Sequence, residues 1–444
     1  MENNKLSTKY KIRLGVVCFA RNTFDFTAAK DIYSNILSQL SNLDNIELVA
    51  VKELIFESPD AIKAGRLFAE KQVDGIVAIS GTFHLGHLVL DIKKLCDKPL
   101  LLWALPELPY DGGKIRLNSV CGVNLDASNL VKSGINDFVY SIGSEIDENW
   151  VDAIRMCAAL RDARIGIIGS RAHGFFNVGA DELSLYGKFG TLIDHFELSD
   201  LWAEKVDEKD TLKYLDALKK VFNISALSEE QAQKTAALAA KFKAFATRNG
   251  LASIAVRCWP EFAAGYGVAP CGAMSLLQSE DYILACEGDI DCALTMLCHK
   301  AAGAVTPFMA DLSQVNIQEN SALLWHCGVA PCNLADGVSQ CTLDSYHAGG
   351  KGVTAGFVLK SGEINIARLD SIGGKYRLLQ EKGTAKPMDK LLTGTYAKVS
   401  FDLHIKEVLD KIVYSGAAHH VSMVYGDFSK AFNIFARLKG INIL

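Results

Sequence analysis

The chain has 444 residues, of which 49% are hydrophobic and 22% charged, and this balance is typical of folded globular proteins rather than disordered ones. Its 46 lysines and arginines against 51 aspartates and glutamates give a net charge of -5, which argues against a nucleic-acid-binding surface, because that would need a basic face. At about 150 residues per domain, the length predicts about three domains.

The first part of the chain alternates short apolar runs with helical patterns. Ile12–Phe19 is predicted as the first strand and Thr27–Leu40 as the helix after it. Strands that alternate with helices predict a parallel, doubly wound sheet, whose functional loops lie at the carboxyl ends of its strands. This edge would carry Arg21 after the first strand and His84 after a central one. The further strands predicted here are Glu47–Val51, Gly75–Ser80 and Leu100–Leu105.

A second α/β segment opens with the strand Ala163–Gly169, after a helix over Ile146–Leu160. Gly166 and Gly169 in this strand do not have the G-x-G-x-x-G spacing that a dinucleotide pyrophosphate requires, so no nucleotide cofactor is expected. The other elements predicted in this segment are the helices Glu204–Lys220 and Ser228–Asn249 and the strands Ile254–Arg257 and Ile283–Cys286.

From about residue 305 the pattern changes to strand-like segments separated by glycine-rich turns, which predicts an antiparallel, β-rich module. The fold class predicted for the whole chain is therefore α/β, with two doubly wound α/β N-terminal domains (1–162 and 163–304) followed by a β-rich C-terminal domain (305–444). The elements predicted in the last domain are the strands Gly356–Leu359, Glu363–Leu369 and Tyr396–Phe401 and a closing helix Phe428–Leu438.

Twelve cysteines are an unusual number, and five of them fall between positions 258 and 298. No Cys-x-x-Cys occurs, so a zinc ribbon or an iron–sulfur site is not indicated, and most of these thiols are interpreted as packing residues in a reducing cell. No signal-peptide pattern is expected at the start of the chain, and no run of 18 uncharged apolar residues predicts a membrane helix. We therefore expect a cytoplasmic protein with no membrane partner.

Two carboxylates stand out by their position after apolar runs. Glu287 follows the buried strand that ends near Cys286, and Asp311 closes the apolar run Val305–Ala310. Asp289, between that strand and a helix predicted from Ile290, has an ordinary explanation as a helix cap. A carboxylate at the end of one buried strand is often a cap or an ion-pair member as well.

Histidines follow other apolar runs in the last third of the chain. His326 comes after Ala322–Trp325, and the pair His419 and His420 comes after Tyr414–Ala418. Carboxylate oxygens and an imidazole suit Mn²⁺ or Mg²⁺ better than they suit metals that prefer thiolates. Two carboxylates and a histidine, each ending a separate run, therefore indicate a metal site that could hold the oxygens of a substrate.

At these residues the sequence resembles the L-fucose/L-arabinose isomerase superfamily over nearly its whole length. Ala285-Cys286-Glu287-Gly288-Asp289 is similar to the family segment that carries the first metal carboxylate, and Asp311 follows at the interval of the second one. Gly416-Ala417-Ala418-His419-His420 is similar to the histidine segment, and counting back from the closing helix places His420 on the ligand position. Gly356-Phe357-Val358-Leu359-Lys360-Ser361-Gly362 resembles the β-rich third domain.

The resemblance implies a reversible aldose–ketose isomerase that uses one divalent cation, most often Mn²⁺, with Mg²⁺ or Co²⁺ as alternatives. Glu287, Asp311 and His420 would be the metal ligands, and the two carboxylates would also move the proton of an enediol intermediate. His326 resembles an additional ligand of the arabinose branch, which the fucose branch does not use, so here it could either bind the metal or contact substrate.

The family forms closed homo-oligomers in which loops of the first domain complete the site of a neighbouring subunit. By position, Arg21 and His84 are the candidates for those substrate-binding loops. The chain is shorter than the best-known members, and the substrates that the resemblance allows are a deoxy-hexose, a pentose or a sulfonated hexose such as sulfoquinovose.

Two other classes of function compete with this interpretation. Two α/β lobes could close around a sugar without reacting it, but a non-catalytic sugar-binding protein leaves Glu287, Asp311 and His420 without a shared purpose. A thiol enzyme could use Cys327 beside His326. Because adjacent residues on a strand point to opposite faces, these two side chains are expected not to pair.

Overall fold

The computed structural model describes residues 9–444, which form two compact units. Unit 1 holds the described residues up to Ala158 together with Lys430–Asn442, and unit 2 holds Ala159–Ser429 and Ile443–Leu444. The three-domain division at 1–162, 163–304 and 305–444 stays a prediction. Residues 1–8, on which part of the expectation about a signal peptide depends, lie outside the described residues.

Unit 1 contains a five-stranded sheet in which every neighbouring pair is parallel, in the order β2-β1-β3-β4-β5. Strands β1, β3 and β4 are almost wholly buried, as expected where helices cover both faces of a parallel sheet. The strands are β1 (Ile12–Phe19), β2 (Ile46–Ala50), β3 (Gly75–Ser80), β4 (Leu100–Ala104) and β5 (Phe138–Ile142). The helices up to the unit boundary are α1 (Phe26–Ser41), α2 (Ser58–Glu70), α3 (His87–Leu95), α4 (Ser119–Lys132) and α5 (Glu148–Asp162).

Unit 2 begins with a second parallel sheet, in the order β7-β6-β8-β9. Its strands are β6 (Arg164–Ile168), β7 (Leu192–Phe196), β8 (Ser253–Val256) and β9 (Leu284–Ala285). Its helices are α6 (Glu182–Phe189), α7 (Leu198–Trp202), α8 (Glu208–Val221), α9 (Glu229–Asn249), α10 (Cys271–Gln278) and α11 (Ile290–Ala301). Helix α9 begins at a capping box in which Ser228 and Gln231 each satisfy the other's backbone, and it ends at Gly250.

The rest of unit 2 is rich in strands, six of which form a closed antiparallel ring, β10-β17-β14-β15-β16-β11, hereafter the barrel. Strand β13 adds to β16 in parallel, and β12 adds to β13. The strands are β10 (Phe308–Asn316), β11 (Ser321–His326), β12 (Thr342–Asp344), β13 (Thr354–Val358), β14 (Gly362–Ile372), β15 (Lys375–Lys386), β16 (Thr395–Phe401), β17 (His420–Tyr425) and β18 (Asn442–Ile443). The last helices of the chain are α12 (Ile405–Ser415), which belongs to unit 2, and α13 (Ser429–Lys439), which belongs to unit 1 from Lys430 onwards.

The predicted fold class, two parallel α/β sheets followed by a β-rich region, is confirmed. One local prediction is wrong. Asp311 does not end a strand, since β10 continues to Asn316 with half-exposed and exposed residues that look like a loop in the sequence. The apolar run from Tyr414 starts in the last turn of α12, and His420 begins β17.

Helix α11 connects the two sheets of unit 2. It contacts β6, β8 and β9 of the small parallel sheet and β10, β14 and β17 of the barrel. Eleven of its twelve residues are buried, which is expected of a helix covered on all sides. The N-terminus of α11 therefore lies where the small sheet and the barrel meet, and the candidate site is found there.

Among the described residues, we find no helix long and apolar enough to cross a membrane.

Candidate active site

Glu287 lies in a tight turn, Cys286–Gly288, between β9 and α11. Its backbone has φ 61°, a left-handed conformation that costs about 1–3 kcal/mol for a residue with a side chain. Gly288 also has a positive φ of 74°, and a Cβ there would lie 2.6 Å from Cα of Arg171. The Ala172 amide donates a hydrogen bond to the Glu287 carbonyl oxygen at 3.0 Å. The loop over Ser170–Ala172 thus fixes the turn that presents the Glu287 carboxylate.

The pairing of the barrel strands brings the other predicted residues to the same place. Strand register sets Asp311 of β10 directly opposite His420 of β17, and opposite Trp325 of β11 on its other side, next to His326. Nε2 of His420 lies 3.0 Å from Oε2 of Glu287 and 3.6 Å from Oδ1 of Asp311. The structure therefore brings together Glu287, Asp311, His326 and His420, four of the six residues predicted for the site.

Three polar atoms in this group are buried and make no hydrogen bond: Oδ1 of Asp311, Nε2 of His326 and Nε2 of His420. They belong to a set whose ligand atoms all lie within 4.8 Å of one another, and Glu287, His419 and His420 form a second such set among the described residues. Nε2 of His420 has the ion-pair contact with Glu287, whereas Oδ1 of Asp311 and Nε2 of His326 accept or donate no hydrogen bond at all. Leaving a buried polar atom unpaired costs about 1–3 kcal/mol, so their convergence is explained by a group that comes from outside the chain. Carboxylate oxygens and imidazole nitrogens fit a divalent cation of the Mn²⁺ or Mg²⁺ type.

The far side of the His420 ring is held by Asp289. Nδ1 of His420 lies 2.8 Å from Oδ2 of Asp289, and the same oxygen accepts a hydrogen bond from Arg368 at 2.7 Å. Asp289 also accepts a hydrogen bond from the Cys292 amide at 2.9 Å, which confirms the prediction that it caps α11. Since a carboxylate can only accept, Nδ1 of His420 carries the hydrogen, and Nε2 is directed towards Glu287 and Asp311.

Charge complementarity explains the ionisation of these buried groups. Burial alone raises the pKa of Asp289, but the Arg368 guanidinium and His420 outweigh burial and hold this pKa well below its usual range. Burial lowers the pKa of His420, but the carboxylates of Asp289 and Glu287 raise it to about 9. The pKa of Glu287, which burial raises, is brought below its usual range by His419 and His420. The site therefore holds carboxylates in their ionised form and requires positive charge between them.

The open side of Glu287 is lined by aromatic rings. Nε1 of Trp259 donates to Oε1 of Glu287 at 3.0 Å. The Phe175 ring packs edge-on against Trp259 and His419, with centroids 5.9 Å and 5.4 Å apart. The His419 side chain is 42% exposed, whereas that of His420 is fully buried. Of the adjacent histidines, His420 thus belongs to the interior of the site and His419 to its rim.

The sequence reasoning missed the residues that support the site. Arg368 contacts Asp289 from 79 positions away, and Trp259 reaches Glu287 from 28 positions away. Neither residue has a local pattern that points to the site. In the sequence, only Asp289, a carboxylate two positions from Glu287, pointed to this supporting group. Its interpretation as a helix cap already accounted for an aspartate at that position.

Comparison with known proteins identifies relatives of this chain. Residues 15–161 match the family described as "Fucose/sulfoquinovose isomerase, N-terminal domain". A sulfoquinovose isomerase of Priestia aryabhattai is 28% identical over 427 residues, covering 93% of this chain and 94% of the relative. One of Alkalicoccus urumqiensis is 26% identical over 400 residues, covering 88% and 90%. The chain belongs to the fucose isomerase-like superfamily.

Similarity of this superfamily member to solved structures is much weaker. A periplasmic solute-binding protein from Actinobacillus succinogenes 130z with bound D-allose is 13% identical and covers 58% of this chain and 82% of its own. The TM-score is 0.18, so this likeness supports no argument about fold or ligand.

Arg21 and His84 both lie within residues 15–161, the part of this chain that matches the family's N-terminal domain. His84 is fully buried, with Nε2 3.0 Å from Oδ2 of Asp126 and Nδ1 3.0 Å from the carbonyl oxygen of Thr82. Arg21 is exposed, and its amide donates to the Thr82 hydroxyl at 2.9 Å. The structure thus joins Arg21 and the His84 loop at the carboxyl edge of the unit 1 sheet. Their contact with substrate, and the completion of a neighbouring subunit's site, stay predictions.

The prediction that the side chains of His326 and Cys327 do not pair is wrong. Sγ of Cys327 lies 3.3 Å from Nδ1 of His326, because β11 ends at His326 and the alternation of a strand does not extend to Cys327. Sγ of Cys271 lies 3.8 Å from the same thiol. The contact with Cys271 and burial raise the pKa of Cys327 well above its usual value. A reactive thiolate is therefore not favoured at Cys327.

Proposed function

We propose that this chain is a metal-dependent aldose–ketose isomerase that interconverts sulfoquinovose and its 2-ketose through an enediol. The observation that carries the proposal is the meeting of three buried polar atoms that make no hydrogen bond, on Asp311, His326 and His420, beside the ionised Glu287. The curated relatives that match this chain over most of its length are named sulfoquinovose isomerases. They support both the ketol-isomerase activity and the sulfonated substrate.

Glu287, Asp311 and His420 would hold the cation, with Mn²⁺ as the first choice and Mg²⁺ or Co²⁺ as alternatives. The chemistry that such a cation supplies when bound is polarisation of a carbonyl oxygen and stabilisation of the negative charge that develops beside it. Asp289 and Arg368 keep His420 in the orientation and tautomer that this requires.

The two carboxylates are placed for proton transfer. Isomerisation removes a proton from C2 of the aldose and returns it to C1, so the site needs groups that accept and donate a proton on one side of the sugar. Glu287 and Asp311 lie 3.0 Å and 3.6 Å from the same imidazole nitrogen and can serve in turn as base and acid. Positioned acid–base groups typically contribute about 10²–10⁴-fold to the rate. Trp259 restricts the access of water to Glu287 and orients its carboxylate.

A sugar-binding protein without catalysis remains the alternative from another class. It would explain a pocket for a sugar, but it would not explain why ionised carboxylates and imidazoles converge at one point. The two functions differ in a simple measurement. A pure binder is expected to purify without a stoichiometric divalent cation, whereas the isomerase is expected to carry or require one.

The decisive test is NMR in D₂O with the Mn²⁺-loaded protein and a panel of aldoses that includes sulfoquinovose, glucose and fucose. We expect deuterium to enter C1 of the ketose and C2 of the recovered aldose. Glu287→Gln is expected to lose at least about 10²-fold in kcat. Glu319→Gln, which alters an exposed carboxylate paired with Lys398, is the matched control and should keep wild-type turnover. Full turnover by Glu287→Gln would contradict the assigned site, and a product without solvent deuterium would contradict the enediol route.

A further inference from the structure

His326 is the last residue of β11 and is 2% exposed. Its ring lies beside that of His420, with centroids 5.9 Å apart and planes inclined by 28°. Nε2 of both rings is buried, faces the site and makes no hydrogen bond. By position alone the two imidazoles would be equivalent candidates for metal ligands.

The opposite edges of the two rings differ. Nδ1 of His326 accepts a hydrogen bond from the backbone amide of Cys327 at 2.9 Å, with the Cys327 thiol at 3.3 Å. An amide N–H can only donate, so Nδ1 must present its lone pair. A neutral imidazole with a lone pair on Nδ1 carries its hydrogen on Nε2. His326 therefore directs an N–H into the site.

His420 has the reverse arrangement. Its Nδ1 lies 2.8 Å from a carboxylate oxygen of Asp289, which can only accept, so a hydrogen stays on Nδ1 and Nε2 is the nitrogen that offers its lone pair when a cation takes the place of a proton there. A cation can bind the lone pair of His420 but not the N–H of His326. Neighbouring, nearly parallel rings thus offer opposite chemistry to the same space.

We infer that His326 is a hydrogen-bond donor to an oxygen of the sugar and not a metal ligand, and that the Cys327 amide is the positioning group that fixes its tautomer. This inference rests on the proposed function. The target is a hydroxyl or carbonyl oxygen of the sugar, since Oδ1 of Asp311, an acceptor in the same group of residues, makes no hydrogen bond to His326. The arrangement assigns one imidazole to the cation and one to the substrate.

The test compares His326→Ala with His420→Ala in the full-length protein, using Mn²⁺ alone as the probe. Mn²⁺ affinity is measured by calorimetry, and the number of coordinating imidazoles by pulsed EPR on protein grown with ¹⁵N-histidine. We expect the wild type to show one coordinated imidazole and His326→Ala to keep it, with affinity within about threefold of wild type. His420→Ala should lose that imidazole and about 100-fold or more in affinity.

Turnover of sulfoquinovose by Mn²⁺-saturated protein supplies the second readout. His326→Ala should lose about 10- to 100-fold in kcat/KM, and His326→Gln, whose amide can donate from a similar position, should recover part of it. Loss of the imidazole signal or of Mn²⁺ affinity in His326→Ala would overturn the inference and leave the proposed function standing. Unchanged kcat/KM in His326→Ala would overturn it as well. Absence of any coordinated imidazole in the wild type would instead overturn the proposed metal site.

Discussion

The substitution Asp289→Asn separates the two tasks of this buried carboxylate. Asp289 and Arg368 are both fully buried, and their charges neutralise each other at 2.7 Å. An amide in place of the carboxylate leaves the guanidinium as an uncompensated buried charge, and it no longer requires a hydrogen on Nδ1 of His420. Removing one partner of a buried ion pair lowers the free energy of unfolding by about 3–5 kcal/mol. Removing the group that hydrogen-bonds a metal-binding histidine lowers metal affinity by about 10- to 100-fold.

Both effects can be measured on the same protein. Urea unfolding followed by circular dichroism gives the loss of stability, and calorimetric titration with Mn²⁺ gives the affinity. Asp370→Asn is the matched control, because Asp370 forms a similar ion pair with Arg377 at 2.7 Å, with side-chain exposures of 7% and 11%. Asp370 lies on β14, the strand that also carries Arg368. We expect the control to lose stability and to keep Mn²⁺ affinity.

A double variant tests the explanation further. Adding Arg368→Met to Asp289→Asn removes the stranded charge, so stability should recover by several kcal/mol while Mn²⁺ affinity stays low. Wild-type Mn²⁺ affinity in Asp289→Asn would refute the claim that this carboxylate positions His420. An equal loss of affinity in Asp370→Asn would show that the effect is only a general loosening of unit 2.

Three further predictions follow from particular contacts. Gly288→Ala should lower kcat/KM at least about tenfold, since the new Cβ would collide with the backbone at Arg171. Its control is Gly250→Ala, where φ is a similar 62° but the space around the glycine is open, and this variant should lower the free energy of unfolding by only about 1 kcal/mol. Burial raises the pKa of Asp291 to about 7, so the native state keeps this proton while the unfolded chain loses it above about pH 4. Wild-type stability should therefore fall by about 4 kcal/mol between pH 4 and pH 8, and Asp291→Asn should show a flatter profile in urea unfolding across that range. Cys327→Ser keeps the backbone amide and should stay within about tenfold of wild-type kcat/KM, whereas a loss of about 10⁴-fold would revive the thiol enzyme.

Much of the fold could be predicted from the sequence because its parallel sheets are built from buried apolar runs. Strands Ile12–Phe19 and Gly75–Ser80 have the predicted bounds, since both faces of each are covered and hydrophobicity alone marks them. The barrel was harder. The second half of β10 is exposed or half-exposed, so β10 appeared to stop at Asp311. The apolar run before His420 belongs to the last turn of α12 and the turn after it, and β17 starts only at His420.

The candidate site shows the same division. Glu287 could be found because it follows a buried strand while the role of helix cap belongs to Asp289, two positions later. The hydrogen bond from Nδ1 of His420 to Asp289 spans 131 positions, and the packing of α11 against β17 creates it. The tautomer of His326 depends on the residue at which β11 ends. Periodicity in the sequence does not locate the end of a strand to within one residue.

The position of the site at the junction of β9, β10, β11 and β17 has a consequence for how the chain folds. No local segment contains a complete cation site, so an intermediate in which β17 has not yet closed the barrel has no such site to offer. Mn²⁺ would then stabilise the finished topology by RT ln(1 + [Mn²⁺]/Kd) and leave such incomplete states unaffected. Cation binding would therefore stabilise only those chains in which β17 has paired with its neighbouring barrel strands in the native order.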